Sequence, residues 1–583
     1  MKKHIILSAL IVAVFAVMAK AKPTTVSSLY RDDLVVVYEL PDDADKAAAV
    51  NYITGVRDAV YKKAEIIDAK TAAPEVLKTK LAKGFVLYSV FGENSPLLNA
   101  AAKPLYLTKT NSKLYFLGKS FPGKDFSLIF VGKNPYSGEP ITVYAAESNK
   151  IIDKINNLNH GSASYHLFKS GQPVSTGGYD YSFLNESIPT AKAIEDIDRF
   201  FTTLQEVHPD LIANISFEDY LRLKDWTVNE TIKKSVNEAI NREDFAYILY
   251  YAAASFRDGH TAVQWFVSPP NSPKREFPPF LVQFRNNKFF VLSALDKELE
   301  GMEIVSINGV PFNAFINPVL DRCSGELLAF KAARFTNRQG FWWWLSKLFS
   351  ETDKFETVFL DKNGRQVKKS LRTVDFTEFD KLSDTASDMS EAKTSYMLYE
   401  NGKIAHFVYP SFTYTPEEIK AVSNIFHEVR NAKALMIDIR SNGGGNSNMG
   451  ELIMKHITHK PFHTFSQVQE KISRIRLEND DNLKRYSVSL AGLLRTGYST
   501  ETSYDAPADF FGGKVYLMTD NGTFSSAADF ATMFRDYECG DIIGYETGGL
   551  PICFGDTLTI QLKNSAIPFT VSFKKFYGPR PKE

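Results

Sequence analysis

The period of apolar and polar positions changes several times along the chain, and those changes divide it. Between residues 24 and 185, apolar runs at 34–38, 105–107, 114–117 and 126–131 predict strands, while 44–62 and 146–157 carry helical spacing. Turns at Phe121-Pro-Gly, Asn134-Pro-Tyr-Ser-Gly and Ser175-Thr-Gly-Gly punctuate this α+β region, in which no motif stands out. From 188 to 266 the period becomes helical, with apolar residues at helix spacing over 191–207 and 243–256. A proline-rich stretch at 268–279 is the clearest boundary in the chain. Strand-like runs resume at 280–284 and 289–295, opening a β-rich region expected over 278–375.

From 395 to 583 strands alternate with helices. Runs at 404–409, 434–439 and 515–518 read as buried strands, and 416–431, 448–457 and 526–537 as helices. That alternation predicts an α/β fold with largely parallel strands. The polar, charged stretch 459–509 interrupts it and is expected to be an insertion near a site, acting as a lid.

Two strand-to-helix junctions carry candidate chemistry. At the first, Ala434-Leu-Met-Ile-Asp-Ile-Arg-Ser-Asn-Gly-Gly-Gly-Asn446 is a buried run that breaks into three glycines, which permit a sharp turn and close approach to a ligand. Neither G-x-x-x-x-G-K-[ST] nor G-x-G-x-x-G is present there, so nucleotide binding has little support. At the second, the apolar run 515–518 leads through a polar turn to Ser525 and Ser526 at the start of a helix. A serine so placed joins an exposed hydroxyl to free backbone N–H groups that can hold an oxyanion, although it is also an ordinary helix cap.

Together these segments resemble the tail-specific, or C-terminal-processing, serine peptidases, a family that includes the tricorn-type peptidases. The family's D-[LI]-R-x-N-x-G-G is matched by Asp438-Ile-Arg-Ser-Asn-Gly-Gly-Gly445, and its T-x-S-A-x-E-x-F-A by Thr523-Phe-Ser-Ser-Ala-Ala-Asp-Phe-Ala531. Ile543-Gly-Tyr-Glu-Thr-Gly-Gly549 follows as the counterpart of V-G-x-x-T-G-G. The resemblance implies a crotonase-like α/β catalytic core and acyl transfer from Ser525. Backbone N–H groups of Gly443 or Gly444 and of Ser526 would hold the oxyanion. Ser526 is the alternative nucleophile, and Asp529 stands beside Ala528, which replaces the family's usual Glu.

Many members place a lysine base after the T-G-G turn, where this chain has Leu550. The tricorn-like branch uses a histidine from a D-G-H-T turn instead, similar to Ser255-Phe-Arg-Asp-Gly-His-Thr-Ala-Val263, which makes His260 the implied general base. That branch draws its third group from near a G-V-x-P-D stretch. None occurs before residue 583, so Asp258, Glu546, Asp556 or a further C-terminal segment remain open for that role. Gly301-Met-Glu-Ile-Val-Ser-Ile-Asn-Gly309 resembles part of a PDZ domain, which binds extended peptides by strand addition. The expected organisation is thus a signal peptide (1–21), an N-terminal α+β domain (24–185), a small helical domain (188–266), a PDZ-like β-rich domain (278–375) and the α/β core (395–583).

Composition narrows the partners. With 68 basic and 68 acidic residues the 583-residue chain gives no electrostatic reason to expect nucleic acid, and peptides or unfolded protein tails are the expected substrate. Lys2-Lys3, an apolar stretch 5–18 and Ala19-Lys-Ala21 have the pattern of a signal peptide, so export to a periplasm or beyond is expected, with no membrane-spanning segment after cleavage. Cys323, Cys539 and Cys553 are too few for a disulfide framework; Cys539 and Cys553 either pair or remain thiols. His456, His459 and His463 lack metal-site spacing, and no metal or organic cofactor is expected. The competing reading is a catalytically inactive peptide- or ligand-binding protein on the same fold, favoured by Leu550, Ala528 and the missing stretch. An α/β-hydrolase esterase is disfavoured, because no G-x-S-x-G surrounds Ser525.

Overall fold

Strands from the first 180 residues form a separate three-stranded sheet (Thr108–Lys109, Lys113–Phe116 and Lys119–Pro122), which takes the run expected at 114–117, and one seven-stranded sheet. Its order is Gln172–Gly177, Tyr165–Lys169, Phe126–Lys133, Pro140–Ala146, Phe85–Val90, Val35–Glu39 and Ile66–Asp68, the last four running parallel. The computed structural model describes residues 25–580 apart from 30–33, 62–63, 93, 106, 111–112, 118, 162, 178–186, 265–276, 337–347, 350–352, 376–377, 380, 383–392, 480–482, 484–487 and 500–506. The expected signal peptide and most of the proline-rich stretch lie outside the described residues. Two expectations in this region fail. Residues 105–107 do not form a strand, because the chain there passes from a 3-10 turn (Lys103–Leu105) to a two-residue strand (Thr108–Lys109). The helix expected over 146–157 is preceded by the strand Pro140–Ala146 and shrinks to Asn149–Ile152 and a 3-10 turn, Ile155–Asn157. Pairing on both edges and burial of Val143, Tyr144, Ala145 and Ala146 override the weak local preference.

At the carboxyl ends of the parallel strands, where doubly wound proteins hold ligands, this sheet holds its own carboxylate. Buried Glu39 accepts the N–H groups of Leu97 and Leu98 at 3.1 and 3.2 Å.

The helical expectation is met by Thr190–Val207 and Arg242–Ala254, with a third helix, Phe217–Lys234, between them. Caps fix where these begin: Ser216 accepts from the Asp219 N–H and Asn241 from the Glu243 N–H. An antiparallel sheet follows, ordered Phe280–Arg285, Lys288–Ala294, Glu303–Ile307, Lys354–Leu360 and Gln366–Arg372, with helices Phe312–Leu320 and Leu328–Thr336. Helices and sheet share one hydrophobic core with the C-terminal strand Pro568–Tyr577, where Phe200 meets Phe569 at 4.8 Å.

In the last third, Ile404–Val408, Ala434–Asp438, Lys514–Thr519 and Asp541–Gly544 are parallel neighbours, with Ser395–Tyr399 antiparallel at one edge. Helices Pro416–Val429, Asn448–Ile457 and Ser526–Asp536 cover this sheet, and a second core lies between. The stretch 459–509 is not simply an insertion. Its strands Gln467–Lys471 and Leu494–Tyr498 extend the sheet built on the hairpin Ile552–Gln561 and Pro568–Tyr577. Among the described residues no helix is long and apolar enough to cross a membrane.

The hairpin is fastened to the first long helix by Asp196, 1% exposed, whose carboxylate accepts the Ser565 N–H at 2.6 Å and the Asn564 N–H at 3.0 Å. Asp196→Ala would strand these donors, at a cost of about 1–3 kcal/mol. A fall in the denaturant midpoint at unchanged slope is expected; an unaltered midpoint would show that the clamp does not hold the hairpin.

Candidate active site

Two loops at the carboxyl ends of neighbouring parallel strands are laced together around Asn442, which is fully buried. Its side chain donates to the Tyr409 carbonyl at 2.8 Å and accepts the Gly444 N–H at 2.9 Å, while its own carbonyl accepts the Phe524 N–H at 2.9 Å. Asp520 accepts the Ser441 N–H at 2.8 Å, and the Thr523 hydroxyl donates to the Ile439 carbonyl at 2.9 Å. Asp438, first residue of the glycine motif, is engaged by Arg440 and His406 at 2.6 and 3.1 Å.

This lacing holds Ser525 at φ 53° and ψ −132°, a conformation that side-chain-bearing residues rarely adopt. Strain of this kind costs about 1–3 kcal/mol and persists only where neighbours over-determine the backbone. The two serines differ sharply here. Ser525 directs its hydroxyl to His260 Nε2, at 3.0 Å, whereas the Ser526 hydroxyl donates to the Gly445 carbonyl at 2.9 Å.

His260 arrives from 265 residues upstream. Its turn is stitched onto the C-terminal strand: Ala262 and Val263 pair with Thr570 and Phe569, and the Thr570 hydroxyl donates to the His260 carbonyl at 2.7 Å. From the other side, Arg334 donates to the Gly259 carbonyl at 3.0 Å. The imidazole stacks on Phe524 (4.6 Å between centroids), which stacks on Phe330 (4.1 Å). Gly259 and Gly548 make room for this column, since a Cβ on either would come within 2.6 Å or less of a ring carbon.

Of the three carboxylates considered beside the histidine, Asp258 stands nearest. Its Oδ1 accepts the His260 backbone N–H at 2.8 Å and lies 4.0 Å from Nδ1. Asp556 pairs with Lys574 at 2.6 Å, and Glu546 is exposed. His260 Nδ1 is buried and makes no hydrogen bond of good geometry among the described residues, although the Phe554 backbone is close enough to favour its protonated form. Burial draws the imidazole below its ordinary pKa, and Asp258 opposes that shift. For Asp258 itself burial acts upward, but His208, His260 and Thr261 outweigh it and hold the carboxyl well below the usual range.

The donors expected for an oxyanion separate as well. Gly444, considered alongside Gly443, has its N–H committed to Asn442. Gly443 is exposed with open space where a Cβ would stand, and among the described residues neither its N–H nor that of Ser526 is bonded. The N–H groups of Gly443 and Ser526 are therefore the pair free to receive a ligand oxygen. Ala528 lies against Gly549, and Asp529 points at Cys553, burial pushing its carboxyl up to about 7. All three cysteines are free thiols. His456 stacks on Phe426, His459 lies tilted against Phe510, and no metal-holding cluster occurs among the described residues. Phe341-Trp-Trp-Trp344, the densest aromatic cluster of the sequence and a candidate for groove lining or core packing, lies outside them. Sequence reasoning quoted Asn442 within the glycine motif without giving its side chain a role, and missed Phe330, Arg334 and His208, which sit in no motif.

Gly444 has φ 97°, and a Cβ there would stand 2.6 Å from Ser525 Cβ and 2.9 Å from the Ser526 nitrogen. Gly444→Ala is expected to destabilise the protein by about 1–3 kcal/mol through overpacking alone. Thermal unfolding of the variant checks this, and an unchanged Tm would mean that the loops are not laced this tightly.

Residues 403–572 match the model of peptidase family S41. No curated protein matches the chain. Among solved structures it is similar to mature CPAF complexed with lactacystin (13% identity, 68% of this chain and 93% of that one, TM-score 0.48). It is also similar to the photosystem II D1 C-terminal processing protease (13%, 66% and 89%, 0.33) and to a putative peptidase from Parabacteroides merdae (12%, 67% and 84%, 0.31). Likenesses at these values carry no argument about mechanism. The matched segment spans the glycine turn, the Ser525 junction and the T-G-G turn in order, so residues 403–572 are similar to the core of peptidase family S41, a family of serine peptidases.

Proposed function

We propose that the chain cleaves peptide bonds through Ser525, with His260 as general base and Asp258 facing the imidazolium that forms. The observation that carries this reading is the 3.0 Å approach of His260 Nε2 to the hydroxyl of a serine held in a strained conformation. His260 takes the Ser525 proton as Oγ attacks the scissile carbonyl, and the carbonyl oxygen becomes an oxyanion held by the N–H groups of Ser526 and Gly443. The imidazolium returns its proton to the amine as the C–N bond breaks. Water then attacks the acyl-enzyme with His260 again as base, releasing the carboxylic acid and restoring Ser525. Asp258 keeps its charge throughout and transfers no proton.

The substrates in this reading are extended peptides or unfolded protein tails, met outside the cytoplasm after export directed by residues 1–21. Gly301–Gly309 and its sheet serve as a peptide-binding module of PDZ type.

The test is labelling of the mature chain with a fluorophosphonate. Loss in Ser525→Ala, a fall of about 10²–10⁴ in His260→Ala and retention in Ser526→Ala are expected. Because the neutral imidazole is the active form and burial lowers its pKa, the labelling rate should rise with pH to a plateau, through a midpoint below the ordinary histidine value. A wild-type chain that is never labelled would overturn the assignment.

A further inference from the structure

The proposed triad leaves one buried histidine unexplained. His208 follows the helix Thr190–Val207, is 2% exposed, and lies 4.5 Å from the Phe554 ring. Its Nε2 is 3.3 Å from Asp258 Oδ2, and its Nδ1 accepts the Asp210 N–H at 3.2 Å. An Nδ1 that accepts carries no proton, so the imidazole proton sits on Nε2 and points at Asp258. The same Oδ2 accepts the Ser572 hydroxyl at 2.7 Å, and Oδ1 accepts the His260 N–H.

Asp258 is thus buried as a charge with donors on both oxygens. The donor on its far side is a neutral histidine rather than a cation. A lysine or arginine there would cancel the carboxylate's field, whereas a neutral N–H stabilises the charge and leaves it available to His260. The remaining groups around Asp258 are Glu326, whose carboxyl burial pushes up to about 7, Arg334 and Cys553. Around His208, the Lys471 ammonium caps the His208 carbonyl at 3.0 Å, and Lys575 pairs with Asp210 at 2.8 Å. Lys471 and Lys575 thus have their partners away from the Asp258 carboxylate, while Arg334 acts on it through space and donates to the Gly259 carbonyl.

We propose that His208 is a positioning residue: its Nε2–H holds Asp258 aimed at, and charged for, His260. The proposal rests on the reading of Ser525 and His260 as nucleophile and base. It predicts that His208→Phe lowers the plateau labelling rate by about 10–100-fold, the usual size when a functional group loses its orienting hydrogen-bond partner. It also predicts a shift of the acidic limb. With Asp258 turned away or neutral, the His260 imidazolium loses the larger of its two counter-charges, leaving Asp556 on one side and Arg334 opposing it, so its pKa falls and the limb moves to lower pH. Asp258→Asn should give the same shift, and the double variant should add little to either single one.

The experiment is the pH profile of fluorophosphonate labelling for the full mature chain and these three variants. His208→Gln, whose amide N–H reaches the Nε2 position, should keep most of the rate, and His208→Asn, too short to reach, should not. That pair tests the idea even where His208→Phe does not fold. An unmoved limb in His208→Asn and His208→Phe, or effects additive with Asp258→Asn, would reduce His208 to a packing residue. A separate readout, independent of activity, is the ¹⁵N spectrum of His208 at neutral pH. A protonated Nε2 with bare Nδ1 is expected, and the opposite tautomer or an imidazolium would overturn the proposal. Failure of wild-type labelling with the expected tautomer present would instead indict the peptidase assignment.

Discussion

A fully buried carboxylate cannot keep its charge without donors, and the site is arranged around meeting that demand for Asp258. The donors come from three stretches far apart in the chain: His208 after the first long helix, the backbone of His260 in the same turn, and Ser572 on the C-terminal strand. Satisfying one charge therefore draws the helical segment, the D-G-H-T turn and the hairpin together. Removing any donor would leave the rest holding an under-solvated ion, which makes the arrangement cooperative rather than a sum of separate bonds.

A second constraint acts on the other reactant. Ser525 stays at positive φ because Asn442, Thr523 and Asp520 lace the loop before it to the glycine loop. Gly444 permits the closest approach, with a backbone no side chain could share. Histidine and serine are thus fixed by independent networks, one on the hairpin sheet and one on the parallel sheet, and they meet where the two sheets abut. Stacking of Phe330, Phe524 and His260 ties the helix Leu328–Thr336 to the same point. Through Arg334 and Phe330, the antiparallel sheet region contacts the histidine turn directly.

Alternating apolar runs and helical spacing made the parallel core legible, because strands buried on both faces read as continuous apolar stretches. Ile404–Val408, Ala434–Asp438 and Lys514–Thr519 lie within a residue of where the pattern put them. The first region was less legible. Ala145 and Ala146 carry little preference of their own, and neighbouring strands decided their state. The strands Gln467–Lys471 and Leu494–Tyr498 hid in a charged stretch because they join the outer part of their sheet, where apolar alternation is weak.

By itself the sequence determined the local chemistry: a serine ending a polar turn, three glycines where a backbone must pass closely, a histidine between glycine and threonine. Those are short-range demands, written in residues adjacent along the chain. Only the tertiary structure decided which serine faces the histidine, which glycine N–H is already committed, and which carboxylate stands behind the imidazole. These answers depend on distances between segments up to 314 residues apart, such as Ser572 and Asp258. Spacing along a sequence does not encode them, because they are set by how sheets and helices bury their apolar faces together.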